Sequence, residues 1–400
     1  MPLGIFSNVL LPPSIINCLI LCPPLSFFSS IDCFCRMKPL KQLPILRLPL
    51  RAMEEVSKGM HSIIKMVSNR RDNTFPILRL PFLAIEEIFK TMDPIEIINF
   101  SMISKRTRTV AKSMRFYSKY SIDLYIHETL EIRLDGRKDV VSYVMTSDKK
   151  MNGKSEEKEQ NGRIERKVYN YSKDPVKKWK KLSTHVLDIF KKQTINYLSM
   201  QMDAFVDQNV SIIDFLKTSE ISVNDCYLYQ WEQNNVDENV AYLLNTITIR
   251  YNLETWLHIK TYFFDGKIPK NLEGLYFMNS EWIGFEKLLE IDCKSVILGR
   301  NWISVEEWNS FFKKWIAMET NQNLECLQLS HKHLETFRAL VLHDIPHEVV
   351  GEGVKRILKT VRNRSTEING GIDIRRIDGK TATFFMHREL WTESLAMSIH

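Results

Sequence analysis

Six short apolar triplets recur through the second half of this 400-residue chain, each with its members at the first, fourth and sixth positions. They are Ile195/Leu198/Met200, Val223/Cys226/Leu228, Leu244/Ile247/Ile249, Leu272/Leu275/Phe277, Cys293/Val296/Leu298 and Leu324/Leu327/Leu329. Their last members stand 28, 21, 28, 21 and 31 residues apart. Between them, stretches 179–191, 211–218, 283–289 and 305–315 are amphipathic enough to be helices, the last opening on a Ser304/Glu307 capping box. One strand with one helix is too small to bury its own apolar face, so such units must stack and share a core. The side chain between the last two members of each triplet then points the other way. Ser199, Tyr227, Thr248, Tyr276, Ile297 and Gln328 are therefore expected to line one open face, which is either a solvated sheet surface or the place where a protein substrate binds.

The fold class that follows is mixed, α+β passing into α/β. Residues 173–390 read as a leucine-rich-repeat-like αβ solenoid with a parallel sheet. A C-terminal β-hairpin closes it, with strands 372–377 and 381–385 flanking Asp378-Gly379, and residues 391–400 are a tail. Residues 118–172 read as a small antiparallel β layer, with alternating strands at 121–126, 130–134 and 140–145. Stretch 147–167 is expected to be an exposed loop, since 12 of its 21 residues are charged with both signs mixed. The chain carries 55 Lys and Arg against 48 Asp and Glu, but the five carboxylates inside that basic stretch would repel phosphate. Nucleic acid is not an expected partner.

The first 36 residues differ from the rest. Residues 1–31 hold no charge, yet Pro12-Pro13 and Pro23-Pro24 leave nine residues between them, too few for a membrane span, and no basic residue precedes the apolar run. Residues 1–36 are read as an unstructured or extraneous leader, with Met37 as the start of the functional chain and no membrane partner. Four of seven cysteines fall in this leader; Cys226, Cys293 and Cys326 sit in apolar runs, as small core residues of a reducing compartment. No glycine-rich phosphate loop, nucleophile elbow or H-E-x-x-H motif appears. His331/His333 and His343/His347 lack a cysteine or carboxylate at zinc spacing, so they are read as surface or capping residues. Neither a cofactor nor a metal nor a catalytic residue is expected.

Residues 44–56 and 76–88 are near-copies, with nine identities in thirteen. The first copy, within 37–74, stops short. The second continues into three short helices. Ile85, Ile88, Phe89 and Met92 make one helical face after Leu80-Pro81. Asp93-Pro94 opens the second helix, striped by Ile95, Ile98 and Met102 with Ile97 and Phe100 flanking, and Ser104 caps a third that carries Val110, Ala111 and Met114. Three such helices cannot bury every stripe on one another.

These residues carry a resemblance. Phe75-Pro-Ile-Leu-Arg-Leu-Pro81, Glu86-Glu-Ile88, Met92-Asp-Pro94 and Ser101-Met-Ile-Ser-Lys-Arg106 resemble the F-box, over residues 75–117. Tyr276-Phe-Met-Asn279, Trp282, Leu288-Leu-Glu-Ile-Asp-Cys293, Asn309-Ser-Phe-Phe-Lys-Lys-Trp315, Leu324-Glu-Cys-Leu327 and Gly370-Gly-Ile-Asp-Ile-Arg-Arg376 resemble the type-2 F-box-associated domain of the large nematode F-box families. The resemblance implies a non-catalytic, substrate-recruiting adaptor of a ubiquitin ligase, cytoplasmic or nuclear. Its partners would be the Skp-type linker, a cullin through it, and a protein substrate. Leu80, Pro81, Ile85, Ile88, Pro94, Ile97, Ser101 and Val110 would face the linker. The alternative is an interaction scaffold that uses the F-box fold outside any ligase.

Overall fold

The structure, a computed structural model, describes residues 77–115, 119–137, 139–261, 264–331, 333–389 and 392–400. The leader, the partial duplicate, their four cysteines and Phe75-Pro76 lie outside the described residues.

Local capping chemistry sets the first three helices: α1 (Phe82–Thr91), α2 (Pro94–Met102) and α3 (Lys105–Ser113). Asp93 caps α2, taking the Glu96 amide at 2.9 Å while Glu96 takes the Asp93 amide at 3.0 Å, with Pro94 in the first turn where its missing N–H costs nothing. Ser104 and Thr107 close the same kind of box at the head of α3. Phe89 and Phe100 meet edge to face at 5.2 Å, which packs α1 on α2.

All fifteen strands described form one mostly open sheet. After β1 (Ser121–Ile126), β2 (Leu130–Asp135), β3 (Asp139–Thr146), β4 (Ser155–Gln160) and β5 (Arg163–Tyr171), helices alternate with strands. These are α4 (Pro175–Phe190), β6 (Thr194–Gln201), α5 (Asn209–Thr218), β7 (Ser222–Tyr229), α6 (Asp237–Thr246), β8 (Thr248–Trp256), β9 (Gly274–Asn279), α7 (Phe285–Glu290), β10 (Ser295–Arg300), α8 (Val305–Ile316), β11 (Cys326–Leu329) and α9 (Leu334–Val341). The chain ends in β12 (His347–Thr360), β13 (Arg364–Arg375), β14 (Thr381–Glu389) and β15 (Thr392–Ile399). β1 and β6 to β11 are neighbours in that order and all parallel.

Leu124, Leu198, Cys226, Leu253, Leu275, Val296 and Leu327 stand opposite one another across these seven strands. Each is at most 2% exposed, so one face of the sheet is sealed by the helices. At about 25 cal/mol per Å² of apolar surface removed from water, such a row is a dominant stabilising term. Among the described residues no helix is long and apolar enough to cross a membrane.

Four expectations need correction. The third triplet is out of step: Leu244 belongs to α6 and Ile247 is its C-cap, so β8 presents Ile249, Leu253 and Thr255 inward instead. An irregularity in the β7–β8 register between Val223 and Asp225 absorbs the extra residue. The charged stretch 147–167 is not a loop, because β4 and β5 pair across it about an Asn161-Gly162 turn at φ 54° and 70°. Opposite charges face each other there, Glu156 against Lys167 and Lys158 against Glu165, and β4 is an outermost strand. A charged edge discourages pairing with another chain. The expected tail 391–400 forms β15, whose alternating Leu395 and Met397 cover the otherwise bare edge of β11. The Asp378-Gly379 turn joins β13 to β14, so the expected hairpin is the middle of a four-stranded antiparallel group.

The corrected register makes a prediction. Leu253→Ala should cost about 2–5 kcal/mol of unfolding free energy in urea titrations, since that side chain is fully buried. Thr248→Ala, at an exposed position, should change stability by less than about 0.5 kcal/mol.

Candidate functional site

The helical module is held to the sheet by polar as well as apolar contacts. Ser101 Oγ donates to the Ile98 carbonyl at 2.6 Å and lies 2.7 Å from His185 Nε2 on α4. Arg108 and Lys112 both pair with Asp188 at 2.6 Å, and those cations hold the Asp188 carboxyl below its ordinary range. Tyr143 of β3 donates to Asn99 Oδ1 at 2.9 Å. Ile97 and Ile98 are fully buried in the main core.

The residues expected to face the linker differ in their exposure. Ile85, Pro94, Ile97 and Ser101 are buried within the chain, the last three on α2, which packs against α4 and β3. Leu80, Ile88 and Val110 are half-buried, and Pro81 is exposed. The large apolar side chains left in solvent are Phe82 and Leu83 in the first turn of α1 and Met102 and Ile103 at the end of α2, each 50–58% exposed. Arg106 donates to the Leu78 carbonyl at 3.3 Å, bringing the approach to α1 beside the α2–α3 corner. Thr107, near which many F-boxes place an aromatic, is buried and completes the α3 cap.

The second face is the side of the sheet away from the helices. Tyr125, Ser199, Tyr227, Glu254, Tyr276, Ile297 and Gln328 form one register row across the parallel strands. Five of the six expected residues are in it; Glu254 takes the place expected of Thr248, which stands opposite Ser222 near the start of its strand. The row is not open throughout, and Ser199, expected to line it, is only 3% exposed. Tyr276 and Ile297 are under 9% exposed because Val361, at the tip of the β12–β13 hairpin, packs on them with Cys326. Leu358 and Ile368 of the same hairpin cover Phe385 and Ala396. A bulge opposite Gly370-Gly371, at φ 71° and 119°, bends the hairpin; a Cβ on Gly370 would sit 2.6 Å from the Val350 carbonyl oxygen.

The rest of this face is rich in rings. Tyr125 lies 5.7 Å from Tyr197 and from His127; His127 lies 5.4 Å from Tyr229; Tyr229 lies 5.2 Å from Tyr227 and 5.6 Å from Trp231, which is 60% exposed. His127 also contacts Ser199 Oγ at 2.9 Å, and burial lowers its pKa, which favours the neutral ring. Burial pushes the Tyr125 and Tyr227 phenols up to about 12. Tyr197, Tyr229 and His127 escaped the triplet reading, although alternation along residues 225–229 and 125–127 marks outward positions in the same way.

Burial raises the Cys293 and Cys326 thiols to about 12 and 11, and Cys226 higher, so these cysteines stay protonated at neutral pH. His343 and His347 contact the nearby carbonyls of Leu340 and Ile345. Among the described residues no group of three or more His, Cys, Asp or Glu could hold a metal ion.

Asp123, on the outer side of β1, is 7% exposed with Oδ1 unpartnered. Burial raises its pKa to about 6 despite Arg133 nearby. Its folded pKa thus exceeds its unfolded value, so the folded state binds more protons between about pH 4 and 6 and stability falls as pH rises through that window. Asp123→Asn should therefore stabilise the protein by about 2 kcal/mol at pH 7.5 and by much less at pH 4, read by denaturant unfolding at both pH values.

Two family models match the chain. Residues 77–119 match the F-box domain, and residues 263–329, from just before β9 to β11, match a family described as F-box associated. No curated protein and no solved structure matches it.

Proposed function

Because the chain joins an F-box to a C-terminal F-box-associated domain, we propose that it is the substrate-recruiting adaptor of a Skp-cullin-F-box ubiquitin ligase. The observation that carries this reading is the position of the exposed apolar side chains within the F-box match. Phe82, Leu83, Met102 and Ile103 stay in solvent while the other described large apolar side chains of the module are buried or half-buried. Exposed large apolar side chains are what a partner protein covers. The Skp-type linker meets these four, together with Pro81 and the accessible parts of Leu80, Ile88 and Val110. Ile85, Pro94, Ile97 and Ser101 serve instead to seat the module on the sheet. The cullin is reached through the linker.

A protein substrate binds the outer sheet face around Tyr227 and Gln328, where Tyr and Trp side chains offer large contact area at low entropic cost. The parallel stretch is read as leucine-rich-repeat-like, each unit adding one position to that face. The chain acts without chemistry of its own: it holds an acceptor lysine near a conjugating enzyme and raises effective concentration. Its place of action is the cytoplasm or nucleus.

The test is association with purified Skp-type linker by titration calorimetry. Leu83→Asp with Ile103→Asp should abolish binding while the thermal midpoint moves little, since both side chains already face water. Binding unchanged in that variant would overturn the linker assignment.

A further inference from the structure

The outer face presents one chemical arrangement twice. On β8 and β9, Glu254 and Tyr276 stand opposite each other, and Arg362 reaches them from the tip of the β12–β13 hairpin. Its guanidinium pairs with Glu254 at 2.9 Å and lies over the Tyr276 ring at 5.0 Å from the centroid. Arg362 holds a left-handed backbone, φ 61°, to do so. Toward β6, Asp225 and Tyr227 of β7 and Tyr197 of β6 offer the same carboxylate and phenol faces, with Tyr197 opposite Asp225 in register. Both arrangements line a single cavity of about 460 Å³.

The charges of that cavity are unevenly matched. Lys294 pairs with Glu273 at 2.7 Å, Lys359 with Glu325, and Arg362 with Glu254. Asp225 is the fourth carboxylate, and among the described residues no cation pairs with it; it accepts only from Asn252 Nδ2, at 2.6 Å. A carboxylate beside tyrosine faces in a recessed groove attracts a planar cation, which gains a charge-assisted hydrogen bond and ring stacking together. Arginine suits this better than lysine, because its guanidinium plane stacks on a ring while its edge donates.

We propose that the groove takes an arginine side chain from a segment of the substrate protein, seated on Asp225 between Tyr197 and Tyr227 as Arg362 is seated on Glu254 and Tyr276. The inference rests on the outer face being the substrate surface and adds the class of substrate it selects. Anionic partners are disfavoured by the same carboxylates, and Arg362 fills the one site where a second cation would otherwise compete.

The experiment uses the full chain and a fluorescein-labelled Gly-Ser-Arg-Ser-Arg-Ser-Gly peptide, with its citrulline counterpart as the neutral control, read by fluorescence anisotropy. The arginine peptide should bind at least about tenfold more tightly, with the difference shrinking as salt rises. Asp225→Asn, which can still accept from Asn252, should remove that preference while linker binding and the thermal midpoint stay unchanged. Equal binding of the two peptides, no binding of either, or a preference that survives Asp225→Asn would overturn the proposal. A random-peptide display selection on the same chain, scored against Tyr227→Ala, separates the two levels. Selected binders that lack arginine yet fail on Tyr227→Ala would keep the face and discard the arginine. Binders indifferent to both Tyr227→Ala and Asp225→Asn would discard both.

Discussion

One-sided burial governs this molecule. The row from Leu124 to Leu327 must be covered, and no strand-helix unit has enough apolar surface to cover its share alone. Helices therefore collect on one side of a single sheet, and the opposite side is left to whatever the loops and the chain ends supply. The ends follow from the same constraint. On one side β15 pairs with β11 and continues the buried row through Met397, Phe384 and Ile372. On the other, β2 and β3 extend it through Ile132 and Tyr143 until the charged β4 stops it.

The inner face was the legible part, because burial there writes itself as a fixed spacing of apolar residues. Ile195/Leu198/Met200 and Cys293/Val296/Leu298 are all nearly inaccessible, as that spacing requires. The third triplet misled because β8 carries one extra residue, and Leu244 and Ile247 copy the spacing from the end of a helix. Capping was equally legible: Asp93, Ser104 and Ser304 each accept the backbone N–H three residues on. The hidden features are tertiary. Nothing near Ile97 or Ser101 announces that α4 will cover them, since a buried stripe has the same pattern whether its cover is a partner or the chain itself. Nor does the mostly exposed β12 announce that its tip folds over Tyr276 and Ile297.

That folded hairpin changes what the outer face can do. A bare sheet would expose Tyr276, Ile297, Phe385 and Ala396 as an apolar surface prone to unspecific association. With Val361, Leu358 and Ile368 over them, the exposed remainder narrows to a tyrosine-lined groove with fixed charges along its rim. Tyrosine suits such a position, since its ring gives contact area while its hydroxyl tolerates water. Specificity then falls to the few groups whose charge is unmatched.

The two faces are coupled rigidly. A flexible tether would spread the distance between linker face and groove over many values and dilute any gain in local concentration. Here Arg108 and Lys112 share Asp188, Ser101 meets His185, Tyr143 reaches Asn99, and Ile97 and Ile98 enter the main core. These contacts make the helical module an extension of the sheet's own packing. Burial of Ile97 and Ser101 in that packing is what the proposed adaptor, acting by proximity, would require. A module held on both α4 and β3 presents its partner at one orientation relative to the groove. The large apolar side chains of the module that this packing leaves in solvent are Phe82, Leu83, Met102 and Ile103.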